Sequence, residues 1–203
     1  MEKCRDIMKE KYEKNSWDAI HAEHKMPFYG VNIKWILWMA ERIPKDGLLM
    51  DVGCGGGYLT DEFRKLGYDV VGVDSGEPQI EIARKFFPDS KFLLGDAREV
   101  ISELKPRYVT GNGVTPFNID GNTGKARFGV MVKFVELLHS SNVERFVASN
   151  ETVWNIDRRN GYVGPSYNWD MAYGDVFAEL RKKYKIEYKN WGEAITWSII
   201  LRY

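Results

Sequence analysis

The segment Leu48-Leu49-Met50-Asp51-Val52-Gly53-Cys54-Gly55-Gly56-Gly57-Tyr58-Leu59-Thr60 decides the reading of the chain. An apolar run ending in an acidic residue has the character of a buried strand at its carboxyl end. The alternate glycines Gly53, Gly55 and Gly57 then permit a tight turn and leave main-chain N–H groups open to a ligand, and the residues that follow start a helix. In open α/β sheets ligands sit in such crevices.

What surrounds the glycines separates the possible ligands. The dinucleotide pattern Gly-x-Gly-x-x-Gly fails, because Tyr58 stands where the third glycine belongs. A phosphate loop is excluded too, since Gly124-Lys125 lacks the upstream glycine and the following hydroxyl. The carboxylate of Asp51 would repel a pyrophosphate in the turn, whereas it suits a ligand carrying a cationic ammonium and sulfonium. With an acid followed by Gly-x-Gly-x-Gly, the chain resembles the class I S-adenosylmethionine-dependent methyltransferases, matched by Asp51, Gly53, Gly55 and Gly57.

The chain has 203 residues, enough for one sizeable core, and is read as one domain over residues 1–203. The 44% hydrophobic and 29% charged fractions are ordinary for a globular protein. Lys plus Arg and Asp plus Glu both number 29, and this balance argues against a nucleic-acid partner. Two cysteines, Cys4 and Cys54, are too few for a disulfide framework and point to a reducing compartment. No apolar run approaches the ~20 residues of a membrane span, and the mixed-charge start Met1-Glu2-Lys3-Cys4-Arg5-Asp6 is unlike a signal peptide. A cytoplasmic location without membrane partners is therefore expected, as a monomer or homodimer.

Residues 2–24 and 30–43 have helical patterns and form an N-terminal helical cap over residues 1–43. Between them, His21 and His24 at spacing i, i+3 are candidates for an acid/base pair or a metal half-site; with no third ligand evident, the plain alternative is an exposed helix end, and no metal is assigned. The resemblance implies an aromatic contact to the cofactor's methionine end from this region, and Tyr29 is the candidate.

Beyond the glycine turn, a helix over residues 58–66 is closed by Gly67, and a strand from Tyr68 to Val73 ends at Asp74. An acid at the end of the second strand can accept from both hydroxyls of a ribose; alone, it could equally cap the helix expected from Pro78 to Phe87. The strand Lys91–Leu94 leads to Asp96 and Ala97, which by resemblance would read the adenine amino group and ring. Asp96 also suits the N-cap of a helix from Ala97 to Leu104.

A fourth strand, Arg107 to Val114, contains Asn112-Gly113-Val114. In many small-molecule members of the resembled family a histidine-containing loop follows; here Thr115-Pro116-Phe117-Asn118 follows instead, so a histidine-based mechanism is not carried over. Thr115-Pro116-Phe117 also lacks the acid or amide and first proline of the loop that holds exocyclic amines of nucleic-acid bases. The turn-rich stretch 118–124, with Asn118 and Asp120, falls at the carboxyl edge of the sheet, where substrate residues lie.

A helix over residues 125–139 should turn Val130, Phe134 and Leu137 to the core. A fifth strand from Glu144 to Ser149 leaves Asn150, Glu151 and Trp154 at its exit. The aromatic- and arginine-rich loop 157–169, with Tyr167, reads either as solvated surface or as a lid. A helix from Tyr173 to Tyr184 precedes two β-rich runs, Lys185–Trp191 and Ala194–Tyr203, joined as an antiparallel hairpin at Gly192-Glu193.

The expected fold is α/β, a three-layer αβα sandwich with a mostly parallel seven-stranded sheet and a C-terminal antiparallel hairpin. The cofactor implied is S-adenosylmethionine, held by Tyr29, Asp51, Gly53, Gly55, Asp74, Asp96, Ala97 and Asn112. A base would come from Asp120, Glu151, His21 or His24, and substrate contacts from Asn118, Asn150, Trp154 and Tyr167. The expected reaction is methyl transfer to an O or N atom of a small molecule. Alternatives are methylation of RNA or protein, or a non-catalytic module binding the same cofactor.

Overall fold

The computed structural model describes residues 33–113, 124–151, 177–191 and 194–202. Its elements run α1 (Ile33–Ala40), β1 (Leu49–Val52), α2 (Tyr58–Lys65), β2 (Val70–Asp74), α3 (Glu77–Phe86), β3 (Lys91–Leu94), α4 (Ala97–Leu104), β4 (Tyr108–Asn112), α5 (Gly124–Ser140), β5 (Arg145–Glu151), β6 (Lys185–Asn190) and β7 (Ala194–Ile200). The strands form one seven-stranded sheet in the order β3-β2-β1-β4-β5-β7-β6. Pairing is parallel from β3 to β5 and antiparallel around β7.

Strand β1 is buried along its whole length between two helical layers, Asp51 included among its apolar residues. On one face, Met50, Val52, Val73, Val109, Phe146 and Trp197 pack with α4, α5 and the helical residues Phe177 and Leu180. On the other, Leu49, Val70, Tyr108 and Val147 pack with Ile36, Trp38 and Met39 of α1 and Leu59 and Phe63 of α2. Helix α3 adds a smaller cluster of Ile80 and Ala83 with Cys54 and Phe92. The αβα sandwich and terminal hairpin are thus as expected.

The helical spacing of apolar residues along α5 buries Met131, Phe134, Val135 and Leu138, while Leu137, expected in the core, is only partly buried and the side chain of Val130 lies outside the described residues. Several boundaries differ from the sequence reading; β4, for example, begins at Tyr108 rather than Arg107. Tyr68 lies outside β2, because its hydroxyl bonds the carbonyls of Ala40 and Ile43 and ties β2's approach to the end of α1. The ladder with β7 extends β5 through Asn150 and Glu151, so both belong to the strand rather than to the loop after it. Near the last helix, the described helical residues end at Leu180, and a turn over residues 181–183 leads into β6.

Candidate functional site

The candidate residues gather at the carboxyl ends of β1, β2, β3 and β4. Gly53, Gly55 and Gly57 all have positive φ, at 65°, 52° and 87°, the left-handed region in which a Cβ is strained. The turn is fixed to β2, since the main-chain N–H groups of Gly53 and Cys54 both donate to the Val73 carbonyl, at 2.8 and 3.1 Å. Gly57, at the start of α2, cannot gain a side chain: a Cβ there would meet Phe92 Cζ at 2.6 Å and Ala83 Cβ at 2.8 Å. Cys54 is a buried thiol packed beside the turn rather than an exposed nucleophile.

Asp51 is the last acidic group before the turn and is 1% exposed. Its Oδ2 accepts from Thr60 Oγ1 at 2.6 Å, and its Oδ1 is buried with no hydrogen-bond partner among the described residues. Burial, opposed by the hydrogen bond from Thr60 and assisted by the negative charge of Asp74, pushes its carboxyl up to about 7. A buried carboxylate with one oxygen unanswered is the arrangement a cationic ligand group would relieve.

Asp74 closes the opposite side. Its Oδ2 accepts the N–H of Gly55 at 2.9 Å and its Oδ1 the N–H of Gly76 at 2.8 Å. Each carboxylate oxygen accepts more than one hydrogen bond, so the side chain can hold the turn and still receive ribose hydroxyls. Gly76, rather than Asp74, is the N-cap of α3.

Asp96 caps α4 by accepting the N–H of Arg98 at 2.9 Å, and the Arg98 guanidinium also binds both of its oxygens. This pairing holds the Asp96 carboxyl below the usual carboxylate range. An adenine amino group would share Asp96 with Arg98. Ala97 is the first residue of α4.

Across β4, Asn112 Oδ1 accepts from Ser149 Oγ at 2.7 Å, and the two residues are direct partners in the β4–β5 register. Asn150 and Glu151 continue β5 beyond Ser149. The structure therefore brings Asp51, the glycine turn, Asp74, Asp96, Ala97 and Asn112 to one sheet edge, with Asn150 and Glu151 at the end of β5. His21, His24, Tyr29, Asn118, Asp120, Trp154 and Tyr167 lie outside the described residues.

Sequence reading missed Thr60, Ser149 and Arg98, each the direct partner of a candidate. For Thr60 a signal existed: a threonine in the first turn of the helix after the glycines is set to face back toward β1. No comparable signal marks Ser149.

A methyltransferase-domain family model matches residues 21–147. A ubiquinone biosynthesis O-methyltransferase from Hahella chejuensis is 36% identical over 89 residues, which are 43% of this chain and 37% of that protein. One from Acinetobacter baumannii is 39% identical over 72 residues, 34% of this chain and 29% of its own length. The chain thus spans well under half of the curated relatives it matches. A magnesium protoporphyrin IX methyltransferase from Synechocystis, solved with bound S-adenosylhomocysteine, superposes with a TM-score of 0.63 at 14% identity, covering 98% of this chain and 100% of that one. A TehB-like methyltransferase from Corynebacterium glutamicum gives 0.55 at 18% identity, covering 96% and 98%. Both likenesses are in the fold.

Proposed function

The chain belongs to the class I S-adenosylmethionine-dependent methyltransferases, and from that premise we propose that it transfers the methyl group to an O or N atom of a small molecule. Oxygen is favoured by the ubiquinone biosynthesis O-methyltransferases among its relatives. The observation that carries the cofactor assignment is the buried Asp51, with Oδ1 unanswered among the described residues, beside a turn of three left-handed glycines.

When bound, S-adenosylmethionine supplies an electrophilic methyl group on a sulfonium. In this reading, Asp51 faces the ammonium, Asp74 takes the ribose hydroxyls, and Asp96 with the N–H of Ala97 reads the adenine. Asn112, its Oδ1 already occupied by Ser149, offers its amide N–H groups to the crevice. The remaining work is alignment and exclusion of water. For a hydroxyl acceptor a proton must also leave, and Glu151, the last residue of β5, is the candidate proposed for that step from the sequence. The proposed roles of Tyr29, Asp120, His21 and His24, and of Asn118, Asn150, Trp154 and Tyr167 toward the acceptor, rest on the sequence, as do the cytoplasmic location and the monomer or homodimer.

Labelled methyl transfer from S-adenosylmethionine into fractionated cell extract tests the reading. Label in the small-molecule fraction that survives prior nuclease and protease treatment supports it. Label lost with either treatment would move the acceptor to RNA or protein.

A further inference from the structure

Thr60 is wholly buried in the first turn of α2, and its hydroxyl has one described acceptor, Asp51 Oδ2, at 2.6 Å. The packing makes room for this contact. In the sheet register Gly72 lies opposite Asp51, and a Cβ at Gly72 would meet Thr60 Oγ1 at 2.6 Å. The chain therefore keeps a glycine in the middle of a buried strand, where glycine weakens the ladder, at the point where the threonine hydroxyl must fit.

The other groups around Asp51 do not substitute for Thr60. From β2, Asp74 faces it with like charge. From β4, Thr110 is its register partner, but that hydroxyl lies against Met39 Sδ at 4.0 Å. On α2, the neighbouring Asp61 is tied to Arg64, Lys65 and Ser90. In the turn, Cys54 donates weakly to the Gly55 carbonyl.

We propose that Thr60 is a positioning residue of the cofactor site: its hydroxyl, bonded to Asp51 Oδ2, fixes the carboxyl so that Oδ1 is the oxygen offered to the ammonium of S-adenosylmethionine. The inference rests on the cofactor reading above. Burial works against ionisation and the Thr60 bond works for it, so removing the hydroxyl shifts Asp51 toward the neutral acid, which has no charge to offer an ammonium.

The test is calorimetric titration of the chain with S-adenosylhomocysteine between about pH 5.5 and 8.5 for wild type, Thr60→Val and Thr60→Ser. Wild-type affinity should rise with pH and level off as Asp51 ionises. Thr60→Val keeps the side-chain shape and removes the donor. It should bind about tenfold or more weakly at pH 7, with its profile displaced upward by roughly one pH unit. Thr60→Ser should restore affinity and profile. If Thr60→Val does not fold, Thr60→Ala provides the donor-free comparison. Wild-type affinity and profile in the donor-free variant would overturn the proposal, as would an equal loss at every pH shared by Thr60→Ser. Wild type that binds no S-adenosylhomocysteine at any pH would instead remove the cofactor reading on which the proposal stands.

Discussion

Asp74 Oδ2 accepts the N–H of Gly55 at 2.9 Å across 19 residues of chain, so the acid that ends β2 braces the glycine turn that ends β1. The residue proposed to hold the ribose also shapes the turn on which the proposed ligand would lie. Asp74→Ala should weaken S-adenosylhomocysteine binding by about 100-fold or more and lower Tm by a few degrees, since hydrogen bonds to a charged group contribute about 1.5–3 kcal/mol each. Calorimetry and thermal unfolding check this together. Unchanged affinity would remove the ribose assignment.

Gly57 tests the packing behind the turn. Gly57→Ala must adopt a φ of 87° and place a methyl group 2.6 Å from Phe92 Cζ. Left-handed strain and overpacking together should cost about 2–4 kcal/mol, measured by denaturant unfolding. Adding Phe92→Leu should recover only part of this, because the space opens while the backbone strain stays.

Asp51 gives the stability a distinctive pH dependence. Its folded-state carboxyl is raised to about 7 from an ordinary value of 3.8, so over that interval the folded chain holds a proton that the unfolded chain has lost. Stability should therefore fall as pH rises from about 4 to 7 and level off above. The carboxyls of Asp61 and Asp96 behave oppositely. Burial raises Asp61, but its bonds from Lys65, Ser90 and Arg64 outweigh burial and hold it low, while Arg98 lowers Asp96. Their stabilisation is present above about pH 4 and lost in more acid solution. Asp51→Asn should abolish the decline between about pH 4 and 7 and raise stability at pH 8 by about 1–3 kcal/mol. It should also weaken S-adenosylhomocysteine binding. Denaturant unfolding across pH reads the first two effects and calorimetry the third; an unaltered pH slope would place the titration elsewhere.

Arg107 supplies the contrast. At the opposite end of the sheet it donates to Glu144 Oε1 and Asp46 Oδ2, both at 2.6 Å, and Tyr108 OH donates to Asp46 Oδ1 at 2.7 Å. Arg107→Met should cost no more than about 1 kcal/mol, as is usual for solvent-accessible ion pairs, and leave S-adenosylhomocysteine affinity unchanged. A large loss of affinity would show that this end of the sheet is coupled to the crevice.

The parts legible in the sequence were those set by spacing along the chain. Asp51, the three glycines and Asp74 follow one another through a single strand-turn-helix-strand unit, and each has one conformational reason to be there. Asp96 as the N-cap of α4 was legible for the same reason. What escaped depends on residues brought together by packing. Thr60 acquires its meaning only when Gly72 clears space for its hydroxyl, and Ser149 only when β4 and β5 fall into register. The extension of β5 through Glu151 is imposed by β7, far along the chain. Arg98 is close in sequence to Asp96, yet a guanidinium folding back on its own cap has no spacing signature.

The insertion of β7 between β5 and β6 also sets an order of manufacture. Strands β1 to β4 and the turn between β1 and β2 are all present once Asn112 has been synthesised, so the cradle can assemble on a growing chain. The outer edge of β5 has no such independence, because its partner is Ala194–Ile200. Until that segment leaves the ribosome, β5 carries an open row of main-chain groups, the kind of edge that invites pairing with another chain. A premature stop shortly before Ala194 would therefore release a polypeptide with the cofactor half built and an adhesive border where the sheet should have been completed.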